Sequence, residues 1–141
     1  LVIVVDTSYS TSGELVKKFL RETFTILSET DSFFRKRKIH IIQCDELVHS
    51  DITVTGDTDI DILINNFELA GGGNTDFRPA FEYVNNLIDT GEIKKLQGLL
   101  YFTDGKGKYP KKKMPYNTAF VFIDKLSETA VPAWAMKVSL E

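Results

Sequence analysis

The first six residues constrain this chain more than any others. Leu1-Val2-Ile3-Val4-Val5 is an unbroken apolar run that ends in Asp6. A strand that is apolar at successive positions hides both of its faces, as strands do in a parallel sheet covered by helices on either side. Sheets of that kind take their ligands at the carboxyl ends of their strands. The run therefore points to an α/β fold and makes the residues after it, Asp6-Thr7-Ser8-Tyr9-Ser10, the first candidate site. A carboxylate and two hydroxyls at alternate positions form an oxygen-only donor set of the kind a hard cation takes.

With 141 residues, 43% of them hydrophobic, the chain suits one compact domain over residues 1–141. A net charge of −3 with mixed signs leaves no electrostatic footprint for nucleic acid. No apolar run approaches the roughly 18 to 20 residues that cross a bilayer. Cys44 is the single cysteine, which excludes an internal disulfide and a multi-cysteine zinc site and is compatible with a reducing, cytoplasmic setting. There is no initiator Met or signal peptide, and residue 1 already lies in a core strand. The chain thus reads as a C-terminal fragment of a longer protein.

Thr11-Ser12-Gly13-Glu14 has the spacing of a capping box, and Leu15, Val16, Phe19, Leu20, Phe24 and Leu27 follow at helical period. Ile39 to Cys44 reads as a second buried strand and Leu47 to Thr55 as a third, joined by a tight turn at Asp45-Glu46. So short a connection demands an antiparallel pair, which puts the third strand at the sheet edge. Asp59 to Phe67 gives a short helix, and Ala70-Gly71-Gly72-Gly73-Asn74 a flexible loop ending at Thr75-Asp76. The next helix takes Pro79 in its first turn and buries Phe77, Ala80, Phe81, Val84 and Leu87 or Ile88. Leu96 to Phe102 forms the fourth strand and delivers Thr103-Asp104-Gly105 to the same edge as Asp6. From Lys106 to Asn117 the chain has Gly, Pro and Lys without apolar period, so a loop replaces a crossover helix. Thr118 to Ile123 and Ala133 to Leu140 read as the last strands, separated by a polar stretch around Asp124 to Thr129.

Three loops then meet at one edge: Asp6-Thr7-Ser8-Tyr9-Ser10, Gly72-Gly73-Asn74-Thr75-Asp76 and Phe102-Thr103-Asp104-Gly105. Together they resemble the von Willebrand factor A (VWA) domain and its metal-ion-dependent adhesion site (MIDAS), with its Asp-x-Ser-x-Ser pattern, a Thr from a second loop and an Asp from a third. The matching residues are Asp6, Ser8, Ser10, Thr75 and Asp104. The chain also resembles a bacterial VWA-like family in which this domain follows a metallopeptidase-like domain. That likeness is carried by Gly73 to Phe81, by Phe102-Thr103-Asp104-Gly105 with Tyr109-Pro110 and Pro115-Tyr116, and by Val131-Pro132-Ala133-Trp134.

The resemblance implies a Rossmann-like VWA fold: a central, mostly parallel sheet with one antiparallel edge strand and helices on both faces. It implies Mg²⁺, or Mn²⁺ or Ca²⁺, at the five matching residues, and a protein partner whose carboxylate completes the coordination sphere. It further implies an upstream peptidase-like neighbour and, by analogy with bacterial VWA proteins, a MoxR-type AAA+ ATPase as partners. The missing crossover helix and the lack of a helix after the last strand depart from integrin-type domains, whose switch moves a C-terminal helix. The donor chemistry agrees: Mg²⁺ keeps several waters in an octahedral shell at about 2.0–2.1 Å, so hydroxyls with one or two carboxylates leave it open.

Other readings of these residues stand beside this one. Ser8 and Ser10 also suit helix caps, and Asp104 suits a turn. Asp76 fits a helix cap, a carboxylate behind the metal ligands, or a partner for Arg78. His40 and His49 share no metal-ligand spacing and read as structural, and Cys44 lies about 13 Å along its strand from His40, beyond a nucleophile–base contact. Lys106, Lys108, Lys111, Lys112 and Lys113 form either a rim that steers acidic ligands or a solvated loop. The leading expectation is a non-enzymatic, metal-dependent protein-interaction module. A metal-assisted hydrolase, with Asp76 as its one candidate base, and a metal-free docking domain are the alternatives.

Overall fold

A computed structural model of the chain describes residues 1–8, 13–28, 38–122 and 131–139. Its elements are β1 (Val2–Asp6), α1 (Gly13–Ser28), β2 (Ile39–Cys44), β3 (Val48–Val54), α2 (Ile60–Asn65), α3 (Arg78–Asp89), β4 (Gly98–Thr103), β5 (Asn117–Phe122) and β6 (Met136–Ser139). The six strands form one sheet in the order β3-β2-β1-β4-β5-β6. All neighbours are parallel except β2 and β3, whose tight connection makes them antiparallel and leaves β3 at the edge.

The apolar runs divide by the two-residue period of a strand. From β1, Val2 and Val4 enter one core with Ile42, Tyr101 and Phe120, under Phe77, Ala80, Phe81 and Val84 at and within α3. Ile3 and Val5 enter the other core with Ile41, Phe102 and Val121, against Val16, Phe19, Leu20 and Phe24 of α1 and Ile64 of α2. Helices therefore cover both faces, which is why β1 carries no polar residue before Asp6. Stripes of this kind, with each fully buried large side chain contributing about 1.5–3 kcal/mol, supply much of what holds the layers together.

Differences from the sequence reading are local. Leu15, one of the apolar residues at helical period in α1, is 36% exposed, while Val16, Phe19, Leu20 and Phe24 are buried. β4 begins at Gly98 rather than Leu96 and β6 at Met136 rather than Ala133, and residues 104–116 form no helix, as expected. Ser10, the Thr11-Ser12 half of the capping box and the polar stretch at 124–129 lie outside the described residues.

The strand order fixes where a ligand belongs. From β1 the chain moves to β2 on one side, whereas from β4 it moves to β5 on the other, so the β1/β4 seam is the point at which the winding reverses. A crevice opens at the carboxyl ends of the strands at such a point. Asp6 ends β1 there, and Asp104 directly follows β4.

Candidate metal centre

Asp6 is completely buried at the end of β1. Its Oδ1 accepts the Ser8 backbone N–H at 2.8 Å, and its Oδ2 accepts the Thr103 hydroxyl at 2.5 Å across the seam. Burial pushes the Asp6 carboxyl above its ordinary value and the nearby Asp104 adds to the rise, while donors from Thr103 and Ser8 oppose it. Among the described residues no Lys, Arg or His forms an ion pair with Asp6. Thr103 Oγ1 accepts the Gly105 N–H at 3.0 Å, and Gly105 takes a φ of 87° that turns the chain away after β4. Asp104 is half-buried, with its Oδ1 accepting the Lys106 N–H at 3.0 Å.

The glycine loop before α3, read as flexible, is tied down by side chains at the end of β2. Gln43 donates to the Glu68 carbonyl at 3.1 Å and accepts the Ala70 N–H at 2.7 Å. The Asp45 carboxylate, 4% exposed, accepts N–H groups from Leu47 at 2.9 Å and Gly73 at 3.0 Å, and it contacts His49 Nε2 at 2.8 Å. Gly71 and Gly73 serve close approach. At Gly71, with φ +123°, an added Cβ would stand 2.7 Å from Thr7 Oγ1 and 2.9 Å from Asp45 Oδ2. Thr7 Oγ1 is itself buried without a hydrogen-bond partner.

Thr75 follows this loop and packs against the Asp104 loop. A Cβ at Gly107 would lie 2.7 Å from the Thr75 methyl, and Phe77 N–H bonds the Lys108 carbonyl at 3.0 Å. Of the three readings of Asp76, the pairing with Arg78 is present. It accepts Arg78 Nε at 3.0 Å, Nη2 at 2.8 Å and the backbone N–H at 3.0 Å. Those hydrogen bonds hold its carboxyl below the usual value.

The described structure thus gathers Asp6 and Ser8 at the seam, sets Asp104 close enough to perturb Asp6, and lays the Thr75 loop beside the Asp104 loop. His40 and His49 pair with Asp51 at 2.9 Å and Asp45 at 2.8 Å, respectively. Cys44 is buried, and that burial pushes its thiol up to about 11. The five rim lysines are all exposed. Thr103, Asp45 and Gln43 were not singled out from sequence; that Asp45 follows a buried strand at the same edge as Asp6 was the available signal.

Among the described residues no group of three or more His, Cys, Asp and Glu side chains converges as a metal site. The polar side chains at this edge are carboxylates and hydroxyls, and no cationic side chain among the described residues pairs with the buried Asp6, so the residues present fit a hard divalent cation in type.

A mostly parallel α/β sheet with a polar site at its β1/β4 seam is the architecture of a VWA-like domain. The chain belongs to the VWA-like domain family DUF2201, whose family model matches residues 1–141. A comparison with curated proteins gives no match. Among solved structures, the chain is similar to an aerotolerance-related membrane protein from Bacteroides fragilis, crystallised with multiple mutations to serines. The TM-score is 0.53 at 13% identity, and the match covers 86% of this chain and 65% of that one. At that identity the likeness concerns the fold. Among the described residues of this chain, no helix is long and apolar enough to cross a membrane.

Proposed function

We propose that this domain is a metal-dependent protein-interaction module. Asp6, Ser8, Ser10, Thr75 and Asp104 hold Mg²⁺, with Mn²⁺ or Ca²⁺ as substitutes, in a MIDAS-type site, and an acidic side chain of a partner protein completes the shell. The observation that carries this reading is the buried Asp6 carboxylate, held by hydroxyl and amide donors, perturbed by Asp104, and lacking a cationic partner among the described residues. Two carboxylates only balance a divalent charge, and neutral hydroxyls add none, so the ion stays attractive to a further carboxylate. The capture of Asp76 by Arg78 supports a binding role over hydrolysis, because the one candidate base is engaged elsewhere. The exposed lysines on the Asp104 loop favour an acidic partner by steering it toward the site. An upstream peptidase-like domain and a MoxR-type AAA+ ATPase are the partner classes the family resemblance suggests.

Water-proton relaxation with Mn²⁺ tests the open position directly. Bound Mn²⁺ should enhance relaxation through its retained waters, and a short Asp-containing peptide should reduce the enhancement while its Asn counterpart does not. Equal responses to both peptides would contradict carboxylate capture.

A further inference from the structure

The end of β2 holds a carboxylate that the proposed ligand set does not use. Asp45 contacts the chain on both sides of Thr75. Its Oδ2 accepts the Gly73 N–H at 3.0 Å, and its backbone carbonyl accepts the Asp76 N–H at 3.2 Å. Its other oxygen is occupied by Leu47 N–H and His49, which fix the carboxylate to the β2–β3 turn. The fit is tight: a Cβ at Gly71 or Gly73 would lie 2.9 Å or 3.0 Å from Asp45 Oδ2. Ordering a loop costs backbone entropy, so each contact that fixes the loop on Asp45 counts toward holding its shape.

We propose that Asp45 is the positioning residue of the metal site, fixing the Gly71–Asp76 loop so that Thr75 meets the seam where Asp6 and Asp104 converge. This rests on the metal-binding reading above. Asp45 does not touch the ion; it sets where one of the hydroxyl ligands stands. The isosteric Asp45→Asn variant isolates that role. An Asn side chain has a single acceptor oxygen, so it serves either the Leu47 and His49 side or the Gly73 side, but not both. Asp76 N–H keeps its bond to the unchanged backbone carbonyl.

The test compares Mn²⁺ titrations of wild type, Asp45→Asn and Gly73→Ala with amide exchange at Gly73. Asp45→Asn should exchange Gly73 faster and bind Mn²⁺ at least about tenfold more weakly, at unchanged circular dichroism. Gly73→Ala, which crowds the same carboxylate from the other side, should weaken Mn²⁺ binding in the same direction and keeps the comparison available if Asp45→Asn does not fold. Wild-type affinity in both variants would overturn the positioning role while leaving the metal site standing. A wild type that takes up no Mn²⁺ would overturn both.

Discussion

The Thr103 hydroxyl donates to Asp6 Oδ2 at 2.5 Å, so the residue just before one proposed metal ligand holds the carboxylate of another. The bond spans the seam between β1 and β4 and is fully buried at both ends. Thr103→Val keeps the shape but removes a donor from buried Asp6 and the acceptor of the Gly105 N–H. Leaving a buried acceptor unpaired costs about 1–3 kcal/mol. Urea denaturation without metal should show that loss.

Gly71 is held at φ +123° between Thr7 and the Asp45 carboxylate. Gly71→Ala combines a backbone conformation that side chains rarely adopt with a Cβ 2.7 Å from Thr7 Oγ1. The strain alone is of order 1–3 kcal/mol. The variant should melt lower than wild type. Gly72→Ala, with a φ of 107° but nothing within 4 Å of its Cβ, should be milder.

Away from the seam, the Tyr83 hydroxyl donates to Asp51 Oδ2 at 2.6 Å while His40 Nδ1 meets Asp51 Oδ1 at 2.9 Å. Burial first, and then the Asp51 carboxylate, push the Tyr83 phenol up to about 12. The folded state therefore retains a proton that the unfolded chain gives up near its ordinary value of 10.0. Stability from this pair is complete below that value and is lost as pH rises through the folded value. Between those limits, Tyr83→Phe should show a shallower fall of stability with pH than wild type, measured by denaturation at stepped alkaline pH.

Cys44 is completely buried and its thiol is pushed up from 9.0 to about 11. The thiolate is the reactive form, and that rise shrinks its fraction at neutral pH before access is considered. Iodoacetamide should label the folded chain far more slowly than the chain in urea.

The layers of this fold were legible because burial on both faces leaves continuous apolar runs, and β1, β2 and β4 carry them. The β2–β3 pairing was legible for a different reason: too few residues separate the strands for a crossover. The period of α1 placed Leu15 beside the buried residues without saying which of them the sheet covers, and Leu15 is partly exposed. The proposed ligands announced themselves by residue type at strand ends. Asp45 did not, since its hydrogen bond to Gly73 joins residues 28 apart and only the folded chain brings that glycine to the end of β2. For the same reason the glycine run looked like slack, whereas its missing side chains let the loop sit on Asp45. Asp76 and Arg78 lie two apart, and local spacing allowed their pairing without selecting it.

Calorimetric titration of the metal-free chain with Mg²⁺, beside Asp104→Ala, tests the metal site most directly. Asp104 is half-buried and outside the strands, so its removal leaves both cores intact. Wild type should bind one ion per chain and gain stability with it, by about 2.7 kcal/mol at a hundredfold excess over Kd. Asp104→Ala should lose both effects. Absence of binding by wild type at millimolar Mg²⁺, or undiminished binding by Asp104→Ala, would contradict a cation held between Asp6 and Asp104.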